Sequence, residues 1–582
     1  MILETTLSSE FTPGTNLTGG VASADWRYLL PSQELEHLLC LGIPSLRTLT
    51  VLSTISRRVH VVSSERSRVE KIEKEFRNQG VPNVQFICVE KFSTLPFYPE
   101  SMDLVYLADS RGNARYLRQP ETRQELNKLL KPQGVLYFEI QGLGQRLGSR
   151  KILKMLAGQG FNLQGSFWLT PFGGDLRTAL PVEERNISSY FFSNVIYGQS
   201  FKKRALSRFG KTLSDLGLIG ALAPRHALLL KRSPENGASA NGFSAGLPEY
   251  ISALAEKSGV DLRQYRFGLS ARGKFNANKV IFFLFGKPED STVSRRAEVV
   301  IKMTRSAEFN RRLENEHRIL SLLKSGAYVD PATYPEPLFF GYHNGLAAIG
   351  MRAVHGKPFR TRTLATPQCP IARDAIEWII RLGGASAKPI PSARPVAEAL
   401  EKLLNMFRGI YPLREEEDRF LARQLETVAG SEAPFPLVFQ HGDPGTWNMM
   451  VSAEDKVIVI DWEAGEPEGI PLWDLFYFFR TYASWVSRQQ GSRDSLKNFS
   501  ENFLTVSTMS EMLADITQRY CANVGLNRRL IKPLFYTCWL HRALKEATRL
   551  TEKTLETGHY FNVLRMSITQ QDNPALEALF RE

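Results

Sequence analysis

The stretch QHGDPGTWNMMVSAEDKVIVIDWE, from Gln440 to Glu463, constrains this chain more than any other. Met449–Ser452 and Val457–Ile460 read as two short apolar strands, and Ala453-Glu454-Asp455-Lys456 between them reads as a polar turn. Pairing 452 with 457 and 449 with 460 places Asn448 directly opposite Asp461, with Cα atoms about 4.5–5.5 Å apart. A carboxamide and a carboxylate then meet at the open end of one hairpin. Both offer hard oxygen ligands, which suit Mg2+ held jointly with substrate phosphates. Asp443 lies on the loop feeding the hairpin, where it can accept a proton from an attacking hydroxyl in phosphoryl transfer.

A chain of 582 residues is too long for one core and implies roughly three or four domains. SPENGASANGFSAG (Ser233–Gly246) lacks apolar periodicity and reads as a flexible linker. The N-terminal residues have neither a basic n-region nor an apolar h-region, and no apolar run is long enough to span a bilayer. The cysteines Cys40, Cys88, Cys369, Cys521 and Cys538 are scattered, with no CxxC pair, which favours a reducing compartment over a zinc site or a disulfide framework. A cytoplasmic enzyme is expected. The net charge of +13 is concentrated early: residues 1–245 carry 30 basic and 21 acidic side chains. That bias fits either a solvated surface or an anionic partner.

Before the linker, apolar runs alternate with helical stretches. His37–Ile43, Val59–Ser64, Val84–Glu90, Met102–Asp109 and Gly134–Ile140 read as buried strands; Ser67–Gly80 and Glu121–Gly134 read as helices. Such alternation implies an α/β domain with a doubly wound, mostly parallel sheet. The order and spacing over residues 26–232, with LNKLLKPQGVLYFEI before a fifth strand and a closing HALLLKR, resemble a class I S-adenosylmethionine-dependent methyltransferase. Residues 1–25 are then an N-terminal extension. The resemblance fails at the cofactor motif. The family places an acid and a Gly-x-Gly-x-Gly turn after strand one, because only glycine lets backbone approach the ligand closely. Here the stretch is Cys40-Leu41-Gly42-Ile43-Pro44-Ser45-Leu46, and Ser63 stands at the ribose-binding acid position. A degenerate domain without cofactor binding is expected.

The opening stretch resembles the aminoglycoside phosphotransferase and choline kinase family, a branch of the protein-kinase-like fold. Its catalytic loop, His-Gly-Asp with an Asn five positions after the Asp, stands here as His441-Gly442-Asp443…Asn448. The family's metal motif stands as Asp461-Trp462-Glu463, and its trailing Gly-x-Pro-x-x-Asp-Leu as GIPLWDL with Asp474. The resemblance implies an α+β bilobal domain, with an N-lobe over 247–355 and a C-lobe with a helical acceptor-binding region over 356–582. It implies ATP and Mg2+ as cofactors, Asp443 as catalytic base, and Asn448 and Asp461 as metal ligands.

The N-lobe should then supply a strand lysine and a helix glutamate. AEVVIKM carries Lys302, and Glu316 falls on the apolar stripe of Phe309, Leu313 and Leu320 in the following helix. A carboxylate on a core-facing stripe needs a partner, and Lys302 is the expected one. FGLSARGKFNANKVIFFLF resembles the family's phosphate-covering loop, with Gly273 and Asn276 as its recurring residues. AAIGMRAVHGKPF resembles its hinge, with Met351 near the adenine. His541 in CWLHRALKEATRL reads as structural.

The expected function is an ATP- and Mg2+-dependent phosphotransferase acting on a hydroxyl of a small molecule or glycan. The competing readings are a bifunctional methyltransferase–kinase on one acceptor and a non-catalytic kinase-like scaffold. No nucleic-acid partner is expected. Phe201–Leu216 is the densest basic stretch, and its apolar residues Phe201, Ala205, Leu206, Phe209, Leu213 and Leu216 fall within one helical arc. It reads either as a helix packed on its own sheet or as a contact with an anionic membrane surface.

Overall fold

The apolar runs before residue 142 form five parallel strands: β1 (Leu35–Leu41), β2 (Ser56–Ser63), β3 (Val84–Cys88), β4 (Met102–Leu107) and β5 (Leu130–Gln141). Their spatial order is β3-β2-β1-β4-β5. The order reverses between β1 and β4, the switch point of a doubly wound sheet. Helix α1 (Leu46–Ile55) follows β1 and is capped by Ser45, whose Oγ accepts from the Thr48 N–H at 3.1 Å. The helix expected to reach Gly134 stops at Leu129, where β5 begins. Pro132 removes a helical N–H and pushes Lys131 toward extended backbone, so the chain turns to strand earlier. The computed structural model describes residues 21–78, 80–108, 116–142, 146–171, 174–196, 201–218, 223–232, 246–271, 278–286 and 296–582. Most of the linker, residues 233–245, lies outside this set.

Beyond β5 the sheet turns antiparallel through β6 (Phe161–Thr170), β7 (Thr178–Pro181) and β8 (Arg225–Arg232), with β8 lying between β5 and β6. Helix α2 (Phe201–Asp215) precedes β8. Its packed face is not the apolar arc. Gly210 and Ser214 are buried, and Ser207 and Ser214 donate to the carbonyls of Phe192 and Arg185. A Cβ at Gly210 would sit 2.2 Å from the Phe192 ring, so the small residues permit a close approach and leave Phe209 and Leu216 each 62% exposed.

The sheet does not end there. β9 (Arg266–Ser270), β10 (Lys279–Phe285), β11 (Val299–Thr304), β12 (Pro337–His343) and β13 (Leu346–Arg352) extend it, because β7 pairs antiparallel with β9 through Thr178 with Ser270 and Ala179 with Leu269. Thirteen strands form one sheet, ordered β12-β13-β11-β10-β9-β7-β6-β8-β5-β4-β1-β2-β3. One buried apolar cluster runs across it, including Cys40, Tyr137, Phe167, Phe267, Phe282 and Ile301.

Packing groups residues 18–310 and 338–353 into this unit, and residues 311–337 and 354–582 into a second. The second contains most of helix α3 (Asn310–Gly326) and two three-stranded sheets. One sheet is β14 (Lys357–Pro358), β17 (Met449–Val451) and β18 (Val457–Val459); the other is β15 (Lys388–Ile390), β16 (Phe435–Gln440) and β19 (Glu466–Gly469). Helices α4 (Trp473–Gln489) and α5 (Ile531–Ala547) are buried along almost their whole length. Among the described residues no helix is long and apolar enough to cross a membrane, and all five cysteines are free.

Candidate active site

The loop from β16 into β17 carries His441, Gly442, Asp443 and Asn448. Its shape follows from local bonding. Asp474, buried at the start of α4, accepts from the backbone N–H groups of both His441 and Gly442. Burial pushes that carboxyl above its usual range, and the two N–H groups and Arg542 oppose the shift. Gly442 adopts φ +76°, and a Cβ there would lie 2.0 Å from the Ala464 carbonyl, so only glycine fits. The His441 ring is fully buried: Nε2 donates to the Ile460 carbonyl at 3.0 Å, and Nδ1 accepts from the Asp443 N–H at 3.2 Å. One imidazole in one tautomer therefore ties the base-bearing loop to the end of β18.

Asn448 donates through Nδ2 to the Asp443 carbonyl at 2.9 Å and to its carboxylate at 3.1 Å. That orientation leaves the amide oxygen as the hard donor for a cation. The hairpin register differs from the expected one. Met449 pairs with Val459 and Val451 with Val457, and the Ile460 N–H donates to the Asn448 carbonyl at 2.9 Å, so Asn448 faces Ile460. Asp455 sits in left-handed conformation at φ +59° and lengthens the turn by one residue, which shifts the pairing. Asp461 follows immediately, itself left-handed at φ +71°, where the chain bends out of the strand. Among the described residues no three His, Cys, Asp or Glu side chains form a metal cluster by themselves. An amide and a carboxylate at one hairpin mouth match the donor set of a Mg2+ that takes its other oxygens from phosphates and water.

Helix α3 pins the turn after Asp461. Asn315 donates to the carbonyls of Glu463 and Gly465 at 3.1 and 3.0 Å, and the fully buried Glu316 accepts from the Trp462 N–H at 3.2 Å. Glu316 thus lies on the core-facing side, as its stripe implies, and it holds the backbone beside Asp461. Lys302 is buried on β11, paired with Ile281 of β10 and Ile349 of β13. Met351 is buried opposite Val300. Gly273 and Asn276 lie outside the described residues.

Two residues of the site carry no motif in the sequence. From α5, Arg542 brings its guanidinium 3.4 Å over the Tyr477 ring and 3.7 Å from the Asp443 carboxylate, and it is almost fully buried. One turn on, Lys545 donates to the Gly442 carbonyl at 3.5 Å. Burial, reinforced by Arg542, pulls that amine down to about 8. The signal was two cations three residues apart in an otherwise apolar helix, which need partners when buried. His541 between them stacks on Trp473 at 4.6 Å, and burial drives its ring well below the ordinary imidazole range. On the open side of the loop, Trp447 is 47% exposed; Arg360 lies 5.6 Å over it and donates to Thr446.

At the switch point of the first unit, β1 ends in Gly42 at φ +86° and α1 starts at Leu46. Cys40 is fully buried, paired with Tyr106 of β4, and Tyr106 is paired with Tyr137 of β5. Trp26 stacks on Tyr137 at 4.2 Å and meets Tyr106 at 4.6 Å. The buried Ser63 accepts from the Glu65 N–H.

Residues 288–499 match the model of the phosphotransferase enzyme family, APH. That span contains Lys302, Glu316, Asp443, Asn448 and Asp461, and this part of the chain is phosphotransferase-like. Solved structures similar to the chain include the N-methyltransferase NodS from Bradyrhizobium japonicum, 12% identical, covering 36% of this chain and 94% of its own, with a TM-score of 0.24. A SAM-dependent methyltransferase from Aquifex aeolicus is 13% identical, covering 24% of this chain and 80% of its own, with a TM-score of 0.22. Geranyl diphosphate C-methyltransferase from Streptomyces coelicolor is 12% identical, covering 36% and 74%, with a TM-score of 0.24. No curated protein matches the chain.

Proposed function

We propose that the chain is an ATP- and Mg2+-dependent phosphotransferase that moves a γ-phosphoryl group to a hydroxyl of a small molecule or glycan. One observation carries the reading: Asp443 is held by Asn448 on one side and faces Arg542 on the other, while its side chain stays about one-third exposed. A carboxylate fixed in place and open to solvent suits a base that orients and deprotonates an incoming hydroxyl. Asn448 and Asp461 would hold Mg2+, which neutralises developing phosphate charge when bound. Lys302 would contact the α and β phosphates and Glu316 would support the site, roles the family resemblance implies. Arg542 adds a fixed positive charge beside the base, the kind of preorganised electrostatics on which phosphoryl transfer depends.

The exposed Trp447 and neighbouring Arg360 offer an acceptor a flat face and a cation. Incubating the protein with Mg-ATP and pooled metabolites, then following loss of ATP and gain of phosphorylated product by mass spectrometry, tests the reading. A phosphorylated alcohol formed only with Mg2+ present supports it. ATP left unconsumed by every pool counts against it.

A further inference from the structure

The segment Asp25-Trp26-Arg27-Tyr28 reaches in two directions. Trp26 stacks against Tyr137 of β5 and Tyr106 of β4. The other three side chains turn to the end of β11. Arg27 donates to the Arg305 carbonyl at 2.8 Å and Tyr28 to the Thr304 carbonyl at 2.9 Å. Asp25 takes the Arg305 guanidinium through Nε at 2.9 Å and Nη2 at 2.7 Å, and both side chains are fully buried.

Arg305 in turn closes the connection between β9 and β10. Its Nη2 donates to the Ala271 carbonyl and its Nη1 to the Lys279 carbonyl, each at 2.8 Å, and its backbone N–H donates to Asn278 at 2.9 Å. Residues 272–277 between those ends lie outside the described set. A guanidinium presents its donors in a rigid planar fork, so one group sets the spacing of both ends. The carboxylate of Asp25 fixes how the fork lies. Apolar side chains of equal volume could fill this space, but they could not satisfy the two buried carbonyls. The pair is therefore more than filler: it hands the geometry of the N-terminal segment to the β9–β10 connection.

We propose that Asp25 is a positioning residue for nucleotide binding, acting through Arg305 to hold the ends of the connection that covers the phosphates. The proposal rests on the phosphotransferase reading above. It makes the N-terminal segment part of the nucleotide-binding apparatus, rather than a leader to a separate domain.

The test titrates Mg-ATP into the full chain by calorimetry, at 10 °C and 25 °C, for wild type, Asp25→Asn, Arg305→Lys and Tyr28→Phe. Tyr28→Phe removes a bond to Thr304 in the same segment and leaves the fork intact, so it reports general loosening. Asp25→Asn and Arg305→Lys are expected to weaken ATP binding about 10-fold or more, since small misplacements of binding groups have effects of this order. Tyr28→Phe is expected to lower the melting temperature and leave ATP affinity within about two-fold. Folded Asp25→Asn and Arg305→Lys proteins with wild-type affinity overturn the proposal. So does an equal loss in Tyr28→Phe, or a failure of both fork variants to fold at either temperature, which assigns the pair to folding alone. Wild-type protein that binds no ATP overturns both this inference and the reading beneath it.

Discussion

Arg542 lies 3.7 Å from the carboxylate of Asp443, reaching it from a helix near the C-terminal end of the chain. The guanidinium is sandwiched between that carboxylate and the face of Tyr477, 3.4 Å below. Replacing it with an apolar residue of similar length removes a charge without opening a large cavity. Arg542→Met is expected to lower turnover by roughly 100-fold and to leave ATP affinity within a few-fold, because the lost charge acts where phosphoryl charge develops. Steady-state kinetics on the acceptor found by screening, with calorimetry for ATP, checks this. Turnover near wild type would assign Arg542 to packing.

Lys545 gives a pH dependence with a definite sign. Burial holds its amine at about 8 in the folded chain, below the roughly 10.4 of an unfolded lysine. Between those values the unfolded state binds more protons, so this residue's contribution to stability rises as pH climbs from about 8 to 10.4. Below pH 8 the folded state carries a buried charge that Lys545→Met removes. The variant is expected to be the more stable protein at pH 7, with its advantage shrinking toward pH 10. Paired urea denaturation curves across that range measure the difference. A constant gap between the two proteins would contradict the assignment.

S-adenosylmethionine is expected not to bind. Pro44 and Leu46 stand where bare backbone would meet the ligand, α1 already begins at Leu46, and Cys40 is buried in place of the acid. Calorimetry on the full chain is the check. Saturable binding tighter than about 100 μM, an affinity the missing contacts should not allow, would revive the bifunctional reading.

Some of this was legible in the residues alone. The catalytic loop is a local motif, and its His, Gly, Asp and Asn are held largely by short-range bonds, so spacing sufficed to bring them together. The parallel strands were legible because each is a nearly continuous apolar run. The hairpin register was missed by one residue because it hung on a left-handed Asp455, which composition of the turn does not reveal. The pairing of β7 with β9 joins segments far apart in sequence through two short strands with no distinguishing pattern. Arg542, Lys545 and Asp25 act through long-range contacts, and a charge in an apolar helix or a leading segment says only that a partner exists.

The central claim is that Asp443 is the base of a phosphoryl transfer. The most direct measurement follows transfer from γ-labelled ATP, with Mg2+, to the acceptor for wild type and Asp443→Asn, alongside ATP binding by calorimetry. Asp443→Asn keeps the shape of the side chain and the bond from Asn448 to the Asp443 carbonyl, but it cannot take a proton. The expected result is transfer by wild type, loss of transfer by at least about 1,000-fold in the variant, and ATP affinity within a few-fold. Transfer by Asp443→Asn at near the wild-type rate would contradict the claim.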